Sequence, residues 1–232
     1  HHENEIAQSE AANNCHYANY WMHAGAVRLD GEKMSKSLGN FFTIRDVLQK
    51  YHPEVVRYLL IASHYRSAIN YSEDNLIEAK SGLTRLYTAL RDFADIAPAT
   101  GDELAADAEY QRFVAAMNDD FNTRVALAVM FDLARALNTA ATEDSGRADF
   151  LAAVLKAMAN VLGLLQERPE GFLQAASANA MTAETVDALV AERIAAKKAK
   201  NFSRADEIRG QLQEAGIVLE DSADGTRWRR DS

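Results

Sequence analysis

Helical periodicity in the middle of the chain constrains its fold more than any other feature. Between residues 148 and 166, apolar side chains recur at intervals of three and four, which places them on one helix face: Leu151, Val154, Leu155, Met158, Leu162 and Leu165. Residues 123–140 show four-residue spacing at Val129, Leu133 and Leu137. Only three prolines and eleven glycines occur in 232 residues, so few positions interrupt such helices. We therefore predict a mainly α-helical protein.

Local start signals predict further helices on both sides of this region. Thr43 with Asp46 forms a capping-box pattern for a helix reaching about residue 50, Pro53 suits the first turn of a helix to about residue 62, and Ser72 caps a helix to about residue 93. Periodic segments also predict helices over 1–14, 105–118, 183–199 and 203–215. Residues 94–104 and 167–182 are predicted to be linkers.

Two segments favour β-structure. Residues 19–30 carry Tyr20, Trp21, Val27 and Leu29 and end at an Asp-Gly turn, so a strand is predicted there. Near the end of the chain, residues 217–221 and 226–230 flank Ser-Ala-Asp-Gly, which predicts a small hairpin.

The composition is that of a soluble globular protein, with 48% hydrophobic and 25% charged residues. No apolar run approaches the roughly 18 residues that would cross a bilayer, so we expect no membrane span. A single cysteine, Cys15, excludes an internal disulfide and suits the reducing cytoplasm.

The net charge of −9 argues against a nucleic-acid binder, but its distribution is uneven. Residues 193–232 hold nine Lys and Arg against seven Asp and Glu, so this tail is locally basic. Any contact of the chain with RNA is therefore predicted in the tail, although charged runs are also common on solvated helix faces.

A polar loop at residues 31–40, Gly-Glu-Lys-Met-Ser-Lys-Ser-Leu-Gly-Asn, suits a polyphosphate ligand. Glycines let the backbone approach closely, serine hydroxyls donate hydrogen bonds, and lysines bring mobile positive charges to phosphate oxygens. The alternative is a solvated basic loop.

This loop and the first ten residues together carry a family resemblance. Lys33-Met34-Ser35-Lys36-Ser37 resembles the signature loop of class I aminoacyl-tRNA synthetases, and the string His-His-Glu-Asn-Glu-Ile-Ala-Gln-Ser-Glu at residues 1–10 resembles the zinc helix of cysteinyl-tRNA synthetases. The resemblance covers nearly the whole chain, in the order of the C-terminal half of that family.

The family implies a remnant of a Rossmann-type α/β catalytic domain followed by mainly helical parts. The expected units are the end of the catalytic domain at 1–45, a helical stem-contact region at 46–95, a tRNA-binding helical bundle at 104–168 and a small α+β anticodon-binding subdomain at 183–232. Because the chain opens on His1, we expect it to be a piece of a longer protein.

The resemblance implies an ATP-dependent cysteine–tRNA ligase that forms cysteinyl-adenylate and transfers the cysteinyl group to tRNA(Cys). Its expected partners are cysteine, tRNA(Cys) and ATP with Mg²⁺, and we expect a cytoplasmic monomer. Lys33 and Lys36 would be the catalytic lysines, because positive charge aimed at the departing pyrophosphate stabilises the transition state. The expected ATP-binding residues are Lys33, Met34, Ser35, Lys36 and Ser37.

A zinc ion is also implied by the family. His1 and Glu5, four residues apart on a helix, would supply two ligands, and two cysteines that lie upstream in the family would supply the others. Zn²⁺ binds a thiolate far better than an alcohol, which would separate cysteine from serine. With two ligands and the first half of the ATP site absent, we expect weak zinc binding or none, and no catalysis by this chain alone.

Seven tail residues resemble those of the family's anticodon-reading subdomain: Lys197, Lys198, Lys200, Phe202, Asp206, Asp221 and Trp228. Of these, Lys197, Phe202, Asp206, Asp221 and Trp228 are the expected anticodon contacts. Aromatic rings can stack on unpaired bases, and carboxylates can accept hydrogen bonds from base amino groups. For Trp228, a place in the core of the hairpin is an equal alternative. The adjacent Asp119 and Asp120 are predicted to cap the following helix.

Two other functions stay open at this stage. A ligase of the same lineage that joins cysteine to an amino sugar in thiol biosynthesis would share the zinc and ATP sites but lack the basic tail. A non-catalytic tRNA-binding or helical scaffold protein could keep the lysine loop without the reaction.

Overall fold

The computed structural model describes residues 2–29, the backbone of residues 32–33, and residues 43–175, 180–222 and 225–231. Eleven α-helices and five short strands lie within these ranges. The predicted mainly helical architecture is confirmed, with a small mixed sheet near the N-terminus and a hairpin near the C-terminus.

The first part of the chain combines helices with the mixed sheet. Its elements are α1 (Glu3–Asn13), β1 (Val27–Leu29), β2 (Glu32–Lys33), α2 (Ile44–Leu48), α3 (Pro53–Ile61) and β3 (Ile69–Tyr71). Strand β1 lies in the centre, antiparallel to β2 and parallel to β3. The parallel pair is possible because α2 and α3 provide the crossover that such a connection needs.

The predicted strand over 19–30 is wrong for its first eight residues. Only Val27–Leu29 is strand among the described residues of this segment, and the aromatic residues before it are solvent-exposed, with Tyr20 at 91% and Trp21 at 42%. A strand needs a continuous ladder of backbone hydrogen bonds. Among the described residues of this segment, the pairing bonds before β1 are those of Gly25 N to the Tyr65 carbonyl at 2.7 Å and of Ile69 N to the Ala26 carbonyl at 3.0 Å, so pairing reaches only its last two residues.

The predicted caps form as their local chemistry dictates. The Asp46 amide donates to Thr43 Oγ1 at 3.2 Å, and the Thr43 amide donates back to Asp46 Oδ2 at 2.9 Å, which completes the capping box of α2. Pro53 occupies the first turn of α3. Ser72 caps α4 (Glu73–Ala89), which leads through Leu90 into a 3₁₀ turn over Arg91–Phe93.

Four consecutive helices form the middle of the molecule: α5 (Gly101–Ala106), α6 (Ala108–Asn118), α7 (Thr123–Glu143) and α8 (Ser145–Leu162). The single helix predicted over 105–118 is divided, because Asp107 turns away from helical geometry and its side chain accepts from the Tyr110 amide to cap α6. The helix α7 is long and apolar enough to cross a membrane by length and composition. Its apolar side, however, packs into the core at Leu127, Met130, Leu133 and Leu137.

The Asp119-Asp120 pair does not cap α7 as predicted. The cap is Asn122, whose side chain accepts from the Val125 amide. The Asp120 carboxylate instead accepts from Tyr65 Oη at 2.8 Å and from Arg66 Nε at 2.6 Å, so it ties the turn before α7 to the loop after α3. A partner fifty-five residues away is invisible to local capping rules.

The C-terminal unit is built from α10 (Ala183–Lys198), α11 (Phe202–Glu214), β4 (Ile217–Ser222) and β5 (Gly225–Arg230). The two strands form the predicted antiparallel hairpin, with Leu219 opposite Trp228. The preceding segment, predicted to be a linker, contains a short helix, α9 (Pro169–Leu173), whose Phe172 and Leu173 are buried in the larger core.

Two separate hydrophobic cores follow from this arrangement. The larger core unites α3 to α9, whereas the C-terminal unit has a small core of its own, formed by Val186, Val190, Ile208, Leu212, Ile217 and Trp228. Because burial of apolar surface is the main source of stability, each part holds its shape through its own core.

Candidate nucleic-acid interface

The predicted ATP site falls largely outside the described residues. Met34, Ser35, Lys36 and Ser37 are not described, and of Lys33 only the backbone is, in β2 opposite Arg28. The roles of Lys33 and Lys36 therefore stay predictions.

The predicted zinc site is represented only by Glu5, because His1 lies outside the described ranges. Glu5 is solvent-exposed in the first turn of α1. Among the residues that the structure describes, no group of three or more His, Cys, Asp and Glu side chains is placed to hold a metal ion. These residues thus do not fit a complete zinc site.

The predicted tail residues, in contrast, all lie in the C-terminal unit. Lys197 lies in the last turn of α10, and Phe202 begins α11 with Asp206 one turn further along. Asp221 and Trp228 lie on the two strands of the hairpin. Their environments differ, however. Asp221 and Trp228 are already engaged in contacts within the protein, whereas Phe202 is exposed.

Both carboxylate oxygens of Asp221 accept hydrogen bonds from other residues of the protein. Its Oδ1 accepts from Arg193 Nη1 at 2.9 Å and from Thr226 Oγ1 at 2.5 Å, and its Oδ2 accepts from Arg193 Nη2 at 2.8 Å and from Lys197 Nζ at 3.0 Å. These hydrogen bonds, with that from Arg193 foremost, hold the pKa of Asp221 well below its usual range. A carboxylate has about four acceptor positions, so this arrangement leaves none for a base.

Trp228 is a core residue, which is the alternative that the sequence left open. Its side chain is buried at 3% exposure within the small core, and its Nε1 donates to Asp187 Oδ1 at 2.7 Å. A buried indole usually satisfies its N–H in this way. Its ring is therefore not available to stack on a base in this conformation.

Phe202 has the opposite character, because 62% of it is exposed at the first position of α11. The turn before it is held by two backbone bonds, Lys200 N to Lys197 O at 3.1 Å and Asn201 N to Ala196 O at 2.9 Å. Asn201 also caps α11 through the Arg204 amide. A short, well-hydrogen-bonded turn thus presents a large aromatic ring to solvent.

Three lysines lie within five residues of Phe202 in the sequence. The last turn of α10 carries Lys197 and Lys198, and Lys200 adopts left-handed backbone geometry in the turn with φ 57°. All three lysines are exposed, as is Asp206 one turn along α11. An aromatic ring beside several lysines can stack on an unpaired base while the cations contact phosphates, and Asp206 can accept from a base amino group.

Arg193 is a structurally important residue that the sequence interpretation missed. It lies on the same face of α10 as Val186, Val190 and Ala196 and is 4% exposed, so its guanidinium is buried beside the small core. A charged residue at an apolar position of a helical stripe was the available signal, because such a residue needs a buried partner. Asp221 is that partner.

Three family models match successive segments of the chain. Residues 1–81 match the class I (C) tRNA synthetase catalytic domain, residues 112–166 match the DALR domain, and residues 181–229 match the cysteinyl-tRNA ligase anticodon binding domain. The third match covers the C-terminal unit that carries the exposed Phe202.

Curated relatives are similar over nearly the entire chain. Cysteine–tRNA ligases of Azotobacter vinelandii and Stutzerimonas stutzeri are each 59% identical over 229 residues, which is 99% of this chain and 49% of each relative. That of Pseudomonas aeruginosa is 57% identical over the same length. The chain thus spans about half the length of the curated relatives it matches.

A solved structure supports the fold. The ternary complex of Agrobacterium radiobacter K84 agnB2 LeuRS with tRNA and LeuAMS superposes with a TM-score of 0.50 at 23% identity, covering 65% of this chain and 22% of that chain. With the domain matches and the close relatives, the chain belongs to the cysteine–tRNA ligase family of class I aminoacyl-tRNA synthetases.

Proposed function

We propose that this chain is part of a cytoplasmic cysteine–tRNA ligase, which uses ATP to activate cysteine and transfers the cysteinyl group to tRNA(Cys). The observation that carries the proposal is the exposed Phe202, set among lysines in the segment that matches the cysteinyl-tRNA ligase anticodon binding domain. An anticodon loop offers unpaired bases and closely spaced phosphates, which are the groups that such a surface binds.

The proposed reaction begins with attack of the cysteine carboxylate on the α-phosphorus of ATP, and pyrophosphate leaves. We assign charge stabilisation on the departing oxygens to Lys36 with Lys33 beside it. Mg²⁺ accompanies ATP as its counterion. Because the described residues do not fit a metal site, the selection of cysteine by zinc is assigned to none of them.

Within the C-terminal unit, we assign RNA contact to Phe202, Lys197 and Asp206. Phe202 would stack on a base, Lys197 would approach phosphate from the end of α10, and Asp206 would accept from a base amino group. Asp221 and Trp228 are assigned supporting roles, since the first orients Lys197 and the second fills the core beneath the hairpin.

The amino-sugar ligase alternative loses support from the same segment. Such an enzyme has no anticodon module, whereas residues 181–229 match one. A non-catalytic tRNA-binding protein would keep the RNA surface, and the lysine loop would then have no role.

The test is binding of this chain to tRNA(Cys) and to the same tRNA with a changed anticodon, at one fixed salt concentration. We expect tighter binding of the native anticodon. The variant Phe202→Leu should weaken binding by about 1–3 kcal/mol, the range for loss of one stacked base. Equal binding of the two tRNAs by the wild-type chain would refute anticodon reading.

A matched control is available in Phe121, another exposed phenylalanine at 52% exposure, in the turn before α7. Phe121→Leu removes a similar exposed ring outside the C-terminal unit and should leave the preference between the two anticodons unchanged. Loss of that preference in both variants would point to a general effect of exposed aromatic rings.

A further inference from the structure

The C-terminal unit is joined to the rest of the molecule mainly by polar contacts. Among the described residues, the buried side chains of its small core and those of the larger core form two separate clusters. Between them lies Arg91, in the 3₁₀ turn that follows α4, with a side chain only 5% exposed.

Arg91 binds three segments that are distant in sequence. Its Nε and Nη2 donate to the two carboxylate oxygens of Glu170 in α9, at 2.6 and 3.1 Å. Its Nη1 donates to Glu220 Oε2 in β4 at 2.6 Å, and its Nη2 also donates to the Trp228 carbonyl in β5 at 2.9 Å. One guanidinium thus contacts the larger helical part and both strands of the hairpin.

The contacts of Arg91 fix the orientation of the hairpin relative to α9. The donors of a guanidinium lie in one plane with fixed angles, so simultaneous contact with Glu170 and Glu220 sets the direction from α9 to the hairpin. Glu170 and Glu220 are 48% and 37% exposed, whereas the arginine between them is buried. A buried positive charge strongly disfavours any arrangement in which its carboxylate partners move away.

The surrounding contacts are also polar. Arg227 of β5 pairs with Asp92 at 2.5 Å, and Lys80 Nζ of α4 donates to the Asp231 carbonyl at 3.2 Å. Arg230 donates to the Gln174 carbonyl through Nε at 3.0 Å. The Arg227–Asp92 and Lys80–Asp231 contacts are exposed and contribute little individually, and the Arg230–Gln174 bond is partly buried. The Arg91 side chain, at 5% exposure, carries the most buried charge of this set, so we take it as the main contact of the joint.

We infer that Arg91 is a positioning residue for RNA recognition: it holds the C-terminal unit at one orientation on the helical body. The inference rests on the proposed function, in which Phe202 and its lysines must meet the anticodon while the rest of the chain engages the same tRNA. Once the rest of the chain holds the tRNA, contact between Phe202 and the anticodon becomes effectively intramolecular. A fixed joint strengthens binding if it places Phe202 at the distance and direction of the anticodon.

The orientation is tested by a distance between two spin labels. In a Cys15→Ser background, Val161→Cys on α8 and Gln213→Cys on α11 place labels on the two sides of the joint. We expect a narrow distance distribution in the parent, a broad one in Arg91→Gln, and an intermediate one in Arg91→Lys, which keeps the charge but not the planar donors. The control Arg112→Gln removes two partly exposed ion pairs inside the helical bundle, with Glu109 and Asp132, and should leave the distance distribution unchanged.

Recognition is tested with the same variants and the two tRNAs. In Arg91→Gln the ratio of the two dissociation constants should fall towards one, while the emission of Trp228, measured with Trp21→Phe, stays that of a buried indole and shows the unit still folded. If Arg91→Gln unfolds the unit, Glu170→Gln, which weakens the same contact from its exposed side, takes its place.

The outcomes separate the inference from the proposed function. A narrow distance distribution together with an unchanged anticodon ratio in the folded variants would overturn the positioning role, as would a broad distribution with an unchanged ratio. If the parent itself shows no anticodon preference, the proposed function fails, and the distance measurement alone then decides whether Arg91 orients the unit.

Discussion

The phenol of Tyr87 donates a 2.9 Å hydrogen bond to the buried carboxylate of Glu54, thirty-three residues earlier in the chain. The same carboxylate accepts from the amides of Leu165 at 3.0 Å and Gln166 at 2.8 Å. Glu54 therefore joins α3, α4 and the turn after α8 at one point. The bond from Tyr87 is buried and the two amide bonds are partly buried, so the Glu54 carboxylate supplies acceptors for three donors that water reaches poorly.

Replacement of this carboxylate should be costly. In Glu54→Gln the side-chain amide has one acceptor oxygen for three donors, and its NH₂ group faces other donors. We expect a loss of about 2–3 kcal/mol in the free energy of unfolding, since an unsatisfied buried polar group costs about 1–3 kcal/mol. Urea denaturation followed by circular dichroism measures it. Glu109→Gln, in a partly exposed pair with Arg112, is the control and should change stability by less than about 1 kcal/mol.

Tyr87 makes stability depend on alkaline pH. Burial, together with the negative charge of Glu54, raises the pKa of the Tyr87 phenol above its ordinary value of 10.0. The unfolded chain ionises near pH 10 while the folded protein does not, so this contribution is complete below pH 10 and declines as the pH rises above it. The stability advantage of the wild type over Tyr87→Phe should shrink above pH 10, by up to about 1.4 kcal/mol per pH unit. A constant difference between pH 9 and pH 11 would contradict this.

Local features of the sequence are enough to predict most of the helices. The capping box at Thr43, the proline at position 53 and the Ser72 cap act within one turn, so their effects are readable from neighbouring residues. The hairpin near the end of the chain was predicted for the same reason, because its turn and both strands lie within fourteen residues.

Features that depend on distant partners were missed or misread. Residues 19–26 have strand-like composition, but composition does not supply a neighbouring strand. The position of Asp120 before α7 predicts a cap, whereas its partners Tyr65 and Arg66 lie in another part of the fold. The site shows the same limit, since neither the Arg193 partner of Asp221 nor the burial of Trp228 is decided by local sequence.

Alanine substitution of two helical glycines should change the stability of the protein in opposite directions. A Cβ on Gly82 of α4 would lie 2.7 Å from the phenol oxygen of Tyr58, which is itself buried, whereas a Cβ on Gly210 of α11 meets nothing within 4 Å. Gly210→Ala should stabilise the C-terminal unit by about 0.5–1 kcal/mol, the helix-propensity gain of alanine over glycine. Gly82→Ala should destabilise the larger part by about 1–3 kcal/mol through overpacking. Thermal unfolding of both variants is the measurement, and equal signs would refute the packing argument.

Asp221 makes the C-terminal unit sensitive to acid. Its folded-state pKa is depressed, chiefly by Arg193, so its contribution is present above the unfolded pKa of about 3.9 and is lost as the pH falls below it. At neutral pH, Asp221→Asn should cost about 2 kcal/mol, less than the roughly 3–5 kcal/mol for a fully buried pair, because 47% of the Asp221 side chain is exposed and water screens it. Trp228 emission reports unfolding of this unit, and Trp21→Phe removes the other tryptophan. The stability advantage of the wild type over Asp221→Asn should decrease as the pH falls below about 4. If both proteins lose stability in parallel as the pH falls, Asp221 is not the group responsible.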